Sequence, residues 1–168
     1  MKSSYDYKNE QPNYTNLDQF IKIGLSLLEC GDFKEATCYF NKSLELNKTV
    51  YCYLILASCY FDEGFPEKAI ELCMTALQHN PTSGLIHNDL GIYYFEIGMN
   101  DEAFEEFDVA LETIENDKKY IVCYNLGRLF EVKGDWFEAK NFFDESLQHN
   151  PSYIEAIQSR TKILALLN

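Results

Sequence analysis

Positive charge is scarce in this chain. Its 168 residues carry 14 Lys and Arg against 27 Asp and Glu, a formal net charge of −13. Between Gly84 and Asp117 there are ten carboxylates and no Lys or Arg at all. Such a surface repels phosphate, so nucleic acid and anionic membrane surfaces are excluded as partners and a neutral or basic one is favoured. Long apolar runs are missing as well: no stretch approaches the roughly 18 to 20 residues that span a bilayer, and Met1–Asn16 lacks the basic start and apolar middle of a leader. The expected setting is cytoplasmic. The six cysteines, at positions 30, 38, 52, 59, 73 and 123, include no Cys-x-x-Cys pair. They read as small buried hydrophobes in a reducing compartment, with neither a disulfide nor a zinc site. Histidine occurs only at 79, 87 and 149, each isolated and read as structural, and no Gly-rich phosphate loop, nucleophile elbow or His-Glu-x-x-His pattern exists. The expectation is therefore no catalytic residue, no metal and no cofactor.

What the chain does have is one phrase four times over: Gly31-Asp32-Phe33-Lys34-Glu35-Ala36, Gly64-Phe65-Pro66-Glu67-Lys68-Ala69, Gly98-Met99-Asn100-Asp101-Glu102-Ala103 and Gly134-Asp135-Trp136-Phe137-Glu138-Ala139. The closing alanines lie 33, 34 and 36 residues apart, the period of a helical repeat array. Before each Gly the apolar residues follow 3, 4 spacing, as in Phe20, Ile23, Gly24 and Leu27, which gathers them on one helix face. After it a second helix starts, with Ala36, Phe40, Ser43 and Leu44 on one side. The units expected are 17–50, 51–83, 84–117 and 118–152, with a mobile tail over 1–16 and a capping helix over 153–168. Near copies at Ala76–Pro81 and Ser146–Pro151 support this register.

These units resemble the tetratricopeptide repeat family. The family's first helix carries a large residue, then Leu-Gly or Leu-Ala, then an aromatic. Here those places read Phe20, Ile23-Gly24, Leu27; Tyr53, Leu56-Ala57, Tyr60; His87, Leu90-Gly91, Tyr94; and Cys123, Leu126-Gly127, Phe130. The second-helix pattern reads Ala36, Phe40, Ser43; Ala69, Cys73, Ala76; Ala103, Phe107, Ala110; and Ala139, Phe143, Ser146. The closing proline is present as Pro81 and Pro151 and absent from the other two units. The resemblance implies an all-α, right-handed α-solenoid of four helix-turn-helix hairpins plus the C-terminal cap. A lone hairpin could not bury its apolar face, so each must lean on its neighbours.

In the family, outward residues of the first helices line a concave groove that binds peptides. Projecting helical spacing from the packing rows gives as groove residues Lys22 and Leu25; Tyr51, Leu54, Ile55 and Ser58; Asn88, Asp89, Ile92 and Phe95; and Tyr124, Asn125 and Arg128. Apolar anchors beside amides suit an extended or helical peptide, because an amide side chain offers both a donor and an acceptor to a peptide backbone. The function expected is a non-catalytic interaction module or adaptor, its partner a neutral or basic protein or peptide with apolar anchors. Two alternatives stay open: a self-associating scaffold, homo-oligomeric through Ile163-Leu164-Ala165-Leu166-Leu167, and a cytosolic chaperone for a secreted effector. Glu102, Glu105, Glu106, Asp108 and Glu112 form an acidic face on a second helix, read either as a docking surface for a basic partner or as a solubilising one.

Overall fold

A computed structural model of the chain describes residues 15–167, with side chains from Asp18 onward. All but the last two residues of the expected tail lie outside that span. The described residues contain nine α-helices and no strand: α1 Thr15–Glu29, α2 Phe33–Leu46, α3 Val50–Asp62, α4 Pro66–His79, α5 Gly84–Glu96, α6 Asn100–Thr113, α7 Lys119–Lys133, α8 Trp136–His149 and α9 Ile154–Leu167. A 3-10 turn, Asn116–Lys118, precedes α7. The fold is all-α and belongs to the helical-repeat, α-solenoid class. None of these helices is long and apolar enough to cross a membrane.

The repeated phrase builds each hairpin turn. Its glycines, Gly31, Gly64, Gly98 and Gly134, all sit at φ between +79° and +85°, a region that costs any residue with a Cβ. The residue after each glycine then donates its N–H to a carbonyl five places back, as Asp32 to Leu27 at 2.9 Å and Asp135 to Phe130 at 2.9 Å, which satisfies a carbonyl orphaned at the helix end. The alanines that close the phrase, Ala36, Ala69, Ala103 and Ala139, are fully buried on the second helices.

The described residues gather into two compact units that divide between Pro81 and Thr82. Repeat arrays tolerate such a division because every hairpin contacts only its neighbours. In the first unit Ala36, Phe40, Ile55, Leu56 and Cys59 form the core between α1, α2, α3 and α4. In the second, Ala103, Phe107, Ala110, Ile114, Val122, Leu126 and Leu129 join α5, α6 and α7, while Ala139, Phe143 and Ile163 fasten α9 onto α8.

Close helix approach within a hairpin obeys one size rule. A Cβ built on Gly24, Gly91 or Gly127 would lie 2.5 to 2.6 Å from the ring of Phe40, Phe107 or Phe143, in each case the residue 16 positions further on. In the second hairpin those two places hold Ala57 and Cys73, both fully buried. The smaller of the pair has grown by a methyl group, and the larger has shrunk.

Asp144 ties α9 to α8. Its carboxylate accepts from Lys140 at 2.6 Å and from the Arg160 guanidinium. Burial alone would raise its pKa, but the two cations outweigh burial and hold it below the ordinary carboxylate value. A depressed folded-state pKa contributes stability above the unfolded value, and that contribution is lost as pH falls through the folded one. Asp144→Asn should therefore melt below wild type at neutral pH, by about 1 kcal/mol or less for so exposed a network. The gap should narrow once the pH drops below about 4. Thermal melts of both proteins across that range test it, and a gap that stays constant into acid would refute it.

Four cysteines, 52, 59, 73 and 123, are buried as expected, whereas Cys30, at the turn after α1, and Cys38, on α2, are exposed. Burial first, and then nearby carboxylates, push the Cys59 and Cys123 thiols up to about 12.

Candidate functional site

In the first unit the sequence-derived positions divide by depth. Lys22 is exposed on α1, and Leu25, half-buried, leans on the core. On α3, Leu54 and Ile55 are only 3% and 1% exposed, and Ile55 belongs to the core itself. Tyr51 is half-buried against the same cluster, and burial, then the neighbouring Cys52, pushes its phenol up to about 12. Ser58 is half-buried and donates its hydroxyl to the Ile55 carbonyl at 3.0 Å. α3 is apolar on nearly all sides, so helical spacing alone could not separate its packing positions from its surface ones.

The second unit assembles more of a site. Asn125 Nδ2 on α7 donates to Asn88 Oδ1 on α5 at 3.0 Å, and Asn88 Nδ2 donates to Asp89 Oδ1 at 3.3 Å. All three residues are at most 5% exposed. Buried amides and a carboxylate are tolerated only when bonded, and this chain meets that demand across two successive first helices. One turn along, Arg128 on α7 donates Nη2 to Glu96 Oε1 at 2.8 Å, and its guanidinium lies 4.7 Å from the centre of the Phe95 ring. Ile92 and Phe95, half-buried, rest on the core beneath. Asn88, Asp89 and Asn125 thus form one bonded set on α5 and α7, and Arg128, Glu96 and Phe95 a second on the same two helices.

Tyr124 does not join them. Its ring packs 5.8 Å from Phe143 and 5.2 Å from Tyr153, and Tyr153 also meets Tyr120 edge-on at 4.9 Å. The aromatic neighbours supplied by α8 and by the approach to α9 draw Tyr124 to the packing side. Lys162 on α9 went unnoticed in the sequence, yet it repeats the place of Arg128 one hairpin later and pairs with Glu131, which holds its ammonium above the usual range. The 34-residue step from 128 to 162 was the available signal.

Cations on α7 offset part of the charge imbalance of residues 84–117. Arg128 pairs with Glu96, and Lys133 reaches Asp101 at 2.9 Å. Within that acidic span itself, His87 Nδ1 lies 2.7 Å from Glu106 Oε2. Glu102, Glu105, Asp108 and Glu112 stay exposed on α6. A third group was also missed: Cys123 on α7 and Glu145 and His149 on α8 bring their ligating atoms within 4.8 Å of one another.

Models of the tetratricopeptide repeat match residues 20–49 and 120–153. Among characterised proteins, the chain is 24% identical over 137 residues to the BBSome complex member BBS4 of Bos taurus, covering 80% of this chain and 26% of that protein. It is 25% identical over 134 residues to the type IV pilus assembly protein PilF of Pseudomonas aeruginosa, covering 79% of this chain and 53% of that one. The chain spans from about a quarter to about half the length of such relatives. The solved structure of P. aeruginosa PilF has the same fold, with a TM-score of 0.81 at 23% identity over 90% of this chain and 68% of that one. Crystalline MamA scores 0.69 at 25% identity, covering 84% and 82%.

Proposed function

We propose that this chain, a tetratricopeptide repeat protein, is a non-catalytic adaptor that holds a peptide segment of a partner on the first-helix face of its second unit. Protein interaction is the coarse function of such repeat modules, and the face formed by α5 and α7 is the reading's finer part. One arrangement supports it: the bonded row Asn88, Asp89, Asn125 running beside Ile92, Phe95 and the Arg128–Glu96 pair. Half-buried apolar groups give a peptide side chain something to cover, and an ion pair at the edge offers both signs of charge to a polar group next to it. The acidity of the chain favours a neutral or basic segment.

Affinity capture from native lysate tests this with three proteins: wild type, Arg128→Ala, and Glu105→Gln with Glu112→Gln on the outward face of α6. A partner bound to wild type should fall at least about tenfold with Arg128→Ala, the loss of about 1.4 kcal/mol, and stay with the α6 variant. The reverse pattern would move the site to the acidic face and overturn the proposal. A self-associating scaffold is the second reading, favoured by Ile154, Ile157 and Leu166, which stand exposed on α9. It predicts that every variant captures only copies of the chain.

A further inference from the structure

We propose that Cys123, Glu145 and His149 form a binding site for a single transition-metal dication, zinc by its donor set, at the open end of the α7–α8 hairpin. Cys123 projects from α7, where it is fully buried and held in place by its surroundings. Glu145 and His149 lie four residues apart on α8 and so share one helix face. The three donor atoms already lie within 4.8 Å of one another. Tetrahedral zinc, with bonds of about 2.3 Å to sulfur and about 2.0 to 2.1 Å to nitrogen and oxygen, spaces its ligand atoms about 3.5 Å apart. Closing the difference needs about 1 Å of movement, and half-buried Glu145 and exposed His149 have the rotamer freedom to supply it.

Comparison within the chain separates this cluster from ordinary packing. The same three places, 70 residues earlier, hold Tyr53, Thr75 and His79, and there the Tyr53 ring stacks on His79 at 5.9 Å. At the corresponding places of the third hairpin stand His87, Val109 and Thr113. Only in the fourth do all three residues carry metal-binding groups. The near copy of the turn keeps the histidine, while the aromatic that packed on it has become a thiol and the threonine a carboxylate.

One sulfur, one imidazole and one carboxylate suit zinc and cobalt(II), and suit magnesium and calcium poorly, because those ions take oxygen ligands. Coordination takes Cys123 as the thiolate and releases its proton to solvent, and the fourth ligand is a water. The ion would join the start of α7 to the end of α8, immediately before the Asn150-Pro151 turn that leads into α9. Its role is that of a clip on the last hairpin.

Cobalt(II) titration of the full chain, purified metal-free and reduced, tests the site. Cys30→Ser and Cys38→Ser in the parent protein remove the exposed thiols as competitors. The expected result is a thiolate-to-cobalt charge-transfer band that saturates at one equivalent and is abolished by zinc. Cys123→Ser should remove the band, and His149→Ala, an exposed change that circular dichroism can show to be folded, should weaken binding at least about tenfold, in line with the loss of one ligand. No band in the parent, or a band that survives both Cys123→Ser and His149→Ala, would overturn the proposal. The result is independent of peptide binding on α5 and α7.

Discussion

Replacing Phe143 by alanine should destabilise the second unit by about 3 to 5 kcal/mol, the usual cost of removing a fully buried aromatic ring. Phe143 has no exposure and stands at the centre of the cluster that joins α8 to α9, with Tyr124, Phe130 and Leu167 packed around it. Its removal leaves a void bordered by Gly127, which has no side chain to fill it. Relaxation from the α7 side is therefore poor, and the cost should fall at the upper end of that range. Phe137, six residues earlier on the same helix but 70% exposed, gives the contrast. Phe137→Ala should change stability by no more than about 0.5 kcal/mol. Denaturant midpoints for both variants, at unchanged slope, check the pair. Equal effects would mean that the ring is not the keystone its burial makes it.

Gly127→Ala should be destabilising alone and stabilising once Phe143 has been made smaller. In an unobstructed helix interior, alanine is favoured over glycine by about 1 kcal/mol. Here the added Cβ would meet the Phe143 ring at 2.5 to 3.0 Å, and overpacking of that kind costs about 1 to 3 kcal/mol. The clash outweighs the propensity gain. Phe143→Cys removes the obstruction and reproduces the combination that the second hairpin uses, Ala57 with Cys73. In that background Gly127→Ala should regain up to about 1 kcal/mol, so the double-mutant cycle should show coupling of about 1 to 3 kcal/mol. Additive effects would show that the two sites do not share a contact. The same cycle explains how a degenerate repeat keeps its hairpins closely packed: volume is conserved across the pair and not at each position.

Much of the architecture could be read directly because it depends on spacing within 40 residues. The recurring glycines demand a left-handed turn, the alanines demand close helix contact, and the 3, 4 pattern selects a face. Each of these is a local requirement repeated four times, so chance is excluded by periodicity. The candidate site was legible to a lesser degree. Asn88, Asp89 and Asn125 were placed among the outward groove residues, but the structure buries all three and bonds them to one another. Leu54 and Ile55 were placed on a surface but are buried, and Tyr124 faces its aromatic neighbours. In a helix sandwiched by others every side is apolar, and the hydrophobic pattern no longer says which side meets which neighbour.

Residue spacing is enough to establish an all-α repeat array, the place of each hairpin turn and the small residues that let its helices touch. Those features arise from backbone conformation and side-chain volume over short separations, and they are the same wherever the repeat occurs. Packing between helices is what pairs Arg128 with Glu96 and stacks it on Phe95, sets Lys162 against Glu131, and brings Cys123 to Glu145 and His149. Each of these joins residues from different helices whose separation in sequence, 22 to 33 positions, carries no pattern of its own. The bonds form because packed apolar faces bring the helices to contact distance, and long polar side chains then find whichever partner that packing has placed within reach.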